Sequence, residues 1–198
     1  MTLTSVVNSM KAYNLILDNS VLLVDTFKQG SYFYFDLPSY AATSASMHAY
    51  PGIHAGKLKF FLIPSNYDAH GVPNIENYIT VCAVERNLQG NRIPDREAAA
   101  LVTCWDNNYE TWIPDEVTNS PYGMFKAFSI PMADFEVINT RINLALKPSA
   151  TATSSFTADV VVTNVEQTDT YYDDFASSVP PYPTPSALTS GFYLLSLV

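Results

Sequence analysis

The sequence predicts an α+β domain in which two helices pack on an antiparallel or mixed β-sheet. Two segments, one at the N-terminus and one in mid-chain, carry apolar residues at helical spacing. The remaining short segments alternate apolar and polar residues, which is typical of strands with one buried face. Short connections between them favour antiparallel pairing. A β-sandwich with helical insertions is the alternative.

Composition limits the classes of partner. The chain has 198 residues, of which 47% are hydrophobic and only 15% are charged, where about a quarter is usual. Ten Lys and Arg stand against 19 Asp and Glu, so the net charge is −9. Nucleic acids and anionic membranes both require basic residues, so neither is an expected partner. A surface poor in ions is easily desolvated, which favours contacts with protein, and a homo-oligomer is expected.

No targeting segment is recognisable in the sequence. No apolar run approaches the roughly 18 residues of a membrane span. The start, MTLTSVVNSMKAYNL, has no basic region followed by an apolar stretch. The default expectation is therefore a cytoplasmic protein or a component of an assembly.

The first predicted element is a helix at the N-terminus. Val6, Met10, Tyr13 and Leu17 recur at spacings of four, three and four residues, and Ser5 is the expected cap. The following SVLLVD (20–25) is predicted to be a short strand.

Four aromatic residues in a row, within SYFYFDLP (31–38), predict the next strand. Alternation places Phe33 and Phe35 on one face and Tyr32 and Tyr34 on the other. Phe suits a core, whereas the Tyr hydroxyl needs water or a partner. The simpler interpretation is that a helix or loop of the same domain covers the tyrosines. The alternative is an aromatic contact strip for a partner or a sugar ring.

The middle of the chain is predicted to contain a connection, two strands and the second helix. The segment ATSASMHAYPGIHAGK (42–57) is expected to be irregular, KLKFFLI (57–63) a central strand and YITVCAVE (78–85) the next strand along the chain. The helix begins near Pro94 and is expected to end at Pro114. Its apolar stripe consists of Ala98, Leu101, Val102, Trp105, Tyr109 and Trp112.

Further strands are predicted in the last third of the chain. They are GMFKAFSIP (123–131), TRINLALKP (140–148), FTADVVVTNV (156–165) and a terminal GFYLLSLV (191–198), of which the second and third pair as a hairpin. Residues 166–190 have no period and contain Pro180, Pro181, Pro183 and Pro185. We therefore expect residues 1–165 to form the domain. Residues 166–198 form an arm and terminal strand that belong to it or dock on a neighbour.

No motif predicts a catalytic residue, a cofactor site or a metal site. GIHAGK (52–57) is one residue short of a P-loop and lacks its Ser or Thr. Asp68 and His70 are expected in a solvated loop, and Asp106 and Glu110 on the exposed side of the second helix. Cys82 and Cys104 are expected to be free cysteines, although a disulfide is an alternative.

Two functional hypotheses follow. The first is a non-enzymatic structural or interaction protein that self-assembles or joins a larger complex. It uses a low-charge, Tyr-rich surface and a Pro-rich arm, with contact residues Tyr32, Tyr34, Tyr171, Tyr172, Pro180, Pro181, Tyr182, Pro183 and Phe192. The second is a module or enzyme that binds a carbohydrate or small ligand in an aromatic pocket. Its candidate residues are Tyr32, Tyr34, Trp105, Trp112 and Tyr182. The absence of a catalytic motif favours the first.

Overall fold

Two antiparallel β-sheets stack face to face, with helices packed around them, in the computed structural model of the chain. It describes residues 1–86, 96–149, 155–165, 170–173, 177–179 and 191–198. The helices are α1 (Leu3–Asn14), α2 (Ser20–Phe27) and α3 (Arg96–Asn119). The strands are β1 (Tyr32–Asp36), β2 (Ser46–His54), β3 (Lys57–Pro64), β4 (Thr80–Ala83), β5 (Ala127–Pro131), β6 (Asn139–Pro148), β7 (Phe156–Val165), β8 (Thr170–Asp173) and β9 (Ser177–Val179). The α+β class is confirmed, although the described residues form three α-helices and two sheets where two helices on one sheet were expected.

The strands divide between a four-stranded and a five-stranded sheet. The first has the order β1-β6-β7-β8 and the second the order β4-β3-β2-β5-β9. The predicted hairpin of β6 and β7 is present, with Leu144 opposite Val160. The sheets meet at one corner, where the Glu85 backbone N–H donates to the Tyr32 carbonyl at 2.8 Å.

The main hydrophobic core lies between the two sheets. Strict alternation sends Phe33 and Phe35 of β1 inward, as predicted, together with Ile142, Leu144 and Leu146 of β6. The Phe33 ring stacks on the Phe60 ring of the opposite sheet, with centroids 4.5 Å apart. β3 is a central strand buried on both faces, because Phe61 and Ile63 point into a second cluster on its far side.

That second cluster covers the outer face of the five-stranded sheet. Val6 and Met10 of α1 pack there against Tyr50 and Phe61. The cap of α1 is Thr2 and not Ser5, since the Thr2 hydroxyl accepts from the Ser5 backbone N–H at 3.2 Å.

The prediction of a strand in residues 20–25 is wrong, because they belong to helix α2. The Asn19 side chain caps this helix by accepting from the Leu22 backbone N–H. Leu23 and Phe27, four residues apart, are buried in the main core. A short apolar run such as VLLV has no period that separates a strand from a helix.

The prediction of an irregular segment at residues 42–57 is also wrong for most of its length, since β2 lies there. Pro51 and Gly52 are poor strand formers, but pairing with β5 ends at Ala49, before the proline. A Cβ atom at Gly52 would lie 2.6 Å from the Phe61 ring and 3.0 Å from the Ser9 backbone. Glycine is therefore required for α1 to approach the sheet.

Helix α3 continues past Pro114, which was expected to end it. Trp112 and Ile113 are buried immediately before the proline, so tertiary packing holds the helix together across the missing N–H. Ala98, Val102, Trp105 and Trp112 of the predicted stripe are buried. Pro94 lies outside the described residues.

The C-terminal region departs from two predictions. The expected terminal strand is a 3-10 helix at Tyr193–Leu197. Residues 166–190 were expected to lack regular structure, yet they include β8, which pairs with β7, and β9, which pairs with β5. Such short edge strands are difficult to recognise in the sequence because polar residues and prolines surround them.

Candidate functional site

Among the described residues, helix α3 covers only part of the outer face of the four-stranded sheet. Helix α3 lies on one part, where Ala98 and Val102 pack against Ala145 and Val161. Beside it lies what we call the tyrosine face: Tyr32, Tyr34 and Arg141, with Glu85 at its border. Alternation in β1 and β6 directs these side chains away from the core, as predicted for the tyrosines.

Tyr32 is held in place by two charged neighbours. The Arg141 guanidinium carbon lies 3.5 Å from the Tyr32 ring centroid, a cation–π contact. The Tyr32 hydroxyl donates to Glu85 Oε2 at 3.2 Å. Burial raises the pKa of the Tyr32 hydroxyl, and the charge of Arg141 opposes that rise. These two contacts together fix the orientation of the Tyr32 ring.

Tyr34 is the exposed member of the face. Its ring meets the edge of Tyr32 with centroids 5.7 Å apart, and 48% of its surface remains accessible. The interpretation that a helix or loop covers these tyrosines is therefore wrong for Tyr34. Helix α3 stops short of it, because α3 packs over the neighbouring part of β6 and over β7.

Strand register places Tyr34 and Arg141 in one row across the sheet. Tyr34 lies opposite Arg141, Arg141 opposite Thr163, and Thr163 opposite the backbone of Tyr172. Partial burial lowers the pKa of Arg141, and the carboxylates of Asp106 and Glu85 are among the groups that oppose this. The tyrosine face as described therefore consists of Tyr32, Tyr34 and Arg141, with Glu85 at its border.

A cleft of about 520 Å³ opens next to the tyrosine face. It lies between the end of α2, the start of β1, the end of β4 and one side of α3. Its lining residues are Phe27, Lys28, Gly30, Ser31, Arg86, Trp105, Asp106, Tyr109 and Glu110. A Cβ atom at Gly30 would lie 2.1 Å from the Glu85 carbonyl oxygen, so only glycine allows these chains to approach so closely.

The polar groups of this cleft are ordered by internal contacts. Arg86 Nε donates to the Lys28 carbonyl at 2.8 Å, and the Tyr109 hydroxyl donates to Glu110 Oε1 at 3.1 Å. Burial raises the pKa of Asp106, although a hydrogen bond with Ser31 and the charge of Arg141 lower it. Burial together with Glu110 raises the pKa of Tyr109 to about 12. Asp106 and Glu110 lie on the exposed side of α3, as predicted, and both line the cleft.

Asp68 is a buried acceptor and not the member of a solvated loop that was expected. Its carboxylate accepts from His48 Nδ1 at 2.7 Å, from the Tyr50 hydroxyl and from the Leu194 backbone N–H at 3.0 Å. The His48 ring stacks on Phe192 with centroids 4.0 Å apart. This cluster holds the C-terminal 3-10 helix on the five-stranded sheet.

The remaining predicted contact residues lie in different parts of the structure or outside its described residues. Phe192 is only 6% exposed and lies in the second cluster of its own chain, so it is not a surface residue. Tyr171 and Tyr172 lie in β8, whereas Pro180, Pro181, Tyr182 and Pro183 lie outside the described residues. Of the two tryptophans proposed for a pocket, Trp105 lines the cleft, and Trp112 is packed with its Nε1 donating to the Phe156 carbonyl at 3.1 Å.

The other groups considered in the sequence do not form a site in the part of the chain that the structure describes. Cys82 and Cys104 are free, and burial raises the pKa of both thiols, that of Cys82 to about 12. Within the described ranges, no three His, Cys, Asp or Glu side chains converge to hold a metal ion. None of the described helices is both long and apolar enough to cross a bilayer.

Comparison with known proteins leaves the geometry as the basis for functional inference. No protein-family model, curated protein or solved structure matches the chain.

Proposed function

We propose that this is a non-enzymatic interaction protein that self-assembles, or joins a larger complex, through the tyrosine face. The observation that carries the proposal is the exposure of Tyr34 beside the preordered stack of Tyr32 and Arg141. Tyr and Arg are enriched among the residues that dominate binding energy at protein interfaces. Rigid tyrosines also lose little conformational entropy on binding.

The chemistry of this face favours a second copy of the chain as the partner. Arg141 supplies a cation, Glu85 supplies an anion, and the Tyr34 hydroxyl both donates and accepts hydrogen bonds. Two such patches related by a twofold axis are complementary to each other. The low charge content of the chain reduces the cost of desolvating the surrounding surface.

The proline-rich arm enters this proposal as a second contact element, but deleting residues 176–198 is a poor test of it. That deletion removes Phe192 and Leu194, which are buried in the chain's own second cluster. Loss of assembly would then follow from unfolding alone. Substitutions on the tyrosine face avoid this problem because Tyr34 is not part of a core cluster.

The test is the absolute mass in solution, measured by light scattering across a wide range of concentration. We expect a defined oligomer for the unmodified chain. Tyr34→Ser should shift the mass toward the 21.9 kDa monomer. The matched control is Tyr122→Ser, which removes a tyrosine that is 59% exposed in the segment between α3 and β5. A strict monomer, or equal masses for both variants, would refute self-assembly through this face. A monomer that instead captures a different protein would point to a larger complex.

A further inference from the structure

The cleft beside the tyrosine face has the size and chemistry of a ligand site. Its volume of about 520 Å³ lies within the roughly 300–1,000 Å³ of small-molecule pockets. We propose that the cleft binds a neutral polyhydroxylated ligand, a mono- or disaccharide. This is an activity separate from self-assembly through the tyrosine face.

The charges that line the cleft favour a neutral ligand. Lys28 and Arg86 contribute two cations, and Asp106 and Glu110 contribute two anions. A strongly charged ligand is attracted by one pair and repelled by the other. Sugar hydroxyls each donate and accept, so they match carboxylates and a guanidinium at the same time.

An aromatic surface stands beside these polar groups. The rings of Trp105 and Tyr109 lie nearly parallel, at 11° with centroids 5.9 Å apart, and both line the cleft. Trp105 is buried, so Tyr109 supplies the accessible part of this pair. A pyranose ring presents C–H groups on one face and hydroxyls at its edge, which suits an aromatic platform rimmed by polar side chains.

The polar groups are also held in place before binding. Arg86 is fixed by its bond to the Lys28 carbonyl, and Glu110 by the Tyr109 hydroxyl. Preordered groups lose less entropy on binding.

Saturation-transfer NMR on the full chain tests the proposal with glucose, galactose, N-acetylglucosamine, lactose and cellobiose as probes. We expect at least one probe to bind with a Kd of about 1 mM or tighter. Glu110→Ala and Asp106→Asn should each weaken that binding about tenfold. Asp115→Asn, on the same helix outside the cleft lining, should leave it unchanged.

Three results would overturn the proposal. The first is the absence of binding for all five probes. The second is binding that Glu110→Ala and Asp106→Asn affect no more than Asp115→Asn does. The third is tighter binding of glucose 6-phosphate or inorganic phosphate than of the neutral sugars, which would assign the cleft to anions. Because none of these substitutions is a tyrosine-face residue, loss of sugar binding with normal assembly separates this proposal from the proposed function.

Discussion

Replacement of Asp68 should detach the C-terminal 3-10 helix from the five-stranded sheet and destabilise the whole protein. In Asp68→Ala the donors of His48, Tyr50 and Leu194 lose their acceptor, and all three residues are nearly inaccessible to water. A hydrogen bond to a charged group contributes about 1.5–3 kcal/mol, so the loss of three costs about 3–6 kcal/mol after partial relaxation. That is a large fraction of the roughly 5–15 kcal/mol of a typical domain.

Urea unfolding measures this effect. With an m-value of about 2 kcal/mol/M, the midpoint of Asp68→Ala should fall by about 1.5–3 M. Asp68→Asn keeps one acceptor oxygen and should lose only about 1–3 kcal/mol, so it provides a variant that stays folded. Hydrogen exchange of the Leu194 amide should accelerate in both variants. The control is Asp18→Asn, which changes an exposed acid. The reasoning fails if Asp68→Asn matches this control in midpoint and in Leu194 exchange.

Three further predictions concern a thiol, a carboxyl and a glycine. Burial raises the pKa of Cys82 to about 12, so Cys82 in a Cys104→Ser background should react with a thiol reagent at pH 8 only after unfolding. The pKa of the Asp106 carboxyl is raised in the native state, whereas in the unfolded state this carboxyl titrates near 3.8. The native state therefore binds the Asp106 proton more tightly than the unfolded state does. The stability of the unmodified chain relative to Asp106→Asn should therefore decrease as the pH rises above that value, as urea unfolding at several pH values will measure. Gly52→Ala should cost about 1–3 kcal/mol in the same assay, because the added methyl group meets Phe61 and the backbone of α1.

Each of these predictions has a result that contradicts it. Rapid labelling of Cys82 in native protein would show that the thiol is accessible. If the difference in unfolding free energy between Asp106→Asn and the unmodified chain does not change with pH, stability is not linked to the Asp106 proton. An unchanged midpoint for Gly52→Ala would mean that α1 moves away from β2 at little cost.

Strong local periodicity explains which elements could be predicted from the sequence. The alternation in Tyr32–Phe35 and in Ile142–Leu146 assigns their faces correctly, because a half-buried strand has a period of two residues. The stripe of α3 is likewise found from helical spacing. β2 was missed because it contains Pro51 and Gly52, and the need for glycine at position 52, where α1 approaches the sheet, is visible only in the tertiary structure.

The candidate sites were predicted only in part, for a related reason. Alternation gives the direction of Tyr32 and Tyr34, but the position of Arg141 over Tyr32 depends on the register between β1 and β6. The cleft joins residues from α2, β1, β4 and α3, which have no common spacing in the chain. Asp68 looked like a loop residue because its three partners come from β2 and from the C-terminus.

Footprinting of tyrosines is the most direct test of the central claim that the tyrosine face is an interface between copies of the chain. Hydroxyl-radical labelling would be measured at a low and at a high protein concentration, with Tyr122 as the exposed reference. If copies of the chain meet through this face, labelling of Tyr34 will fall as the mass in solution rises, while labelling of Tyr122 will not change. Equal labelling of Tyr34 in the monomer and the oligomer would contradict it.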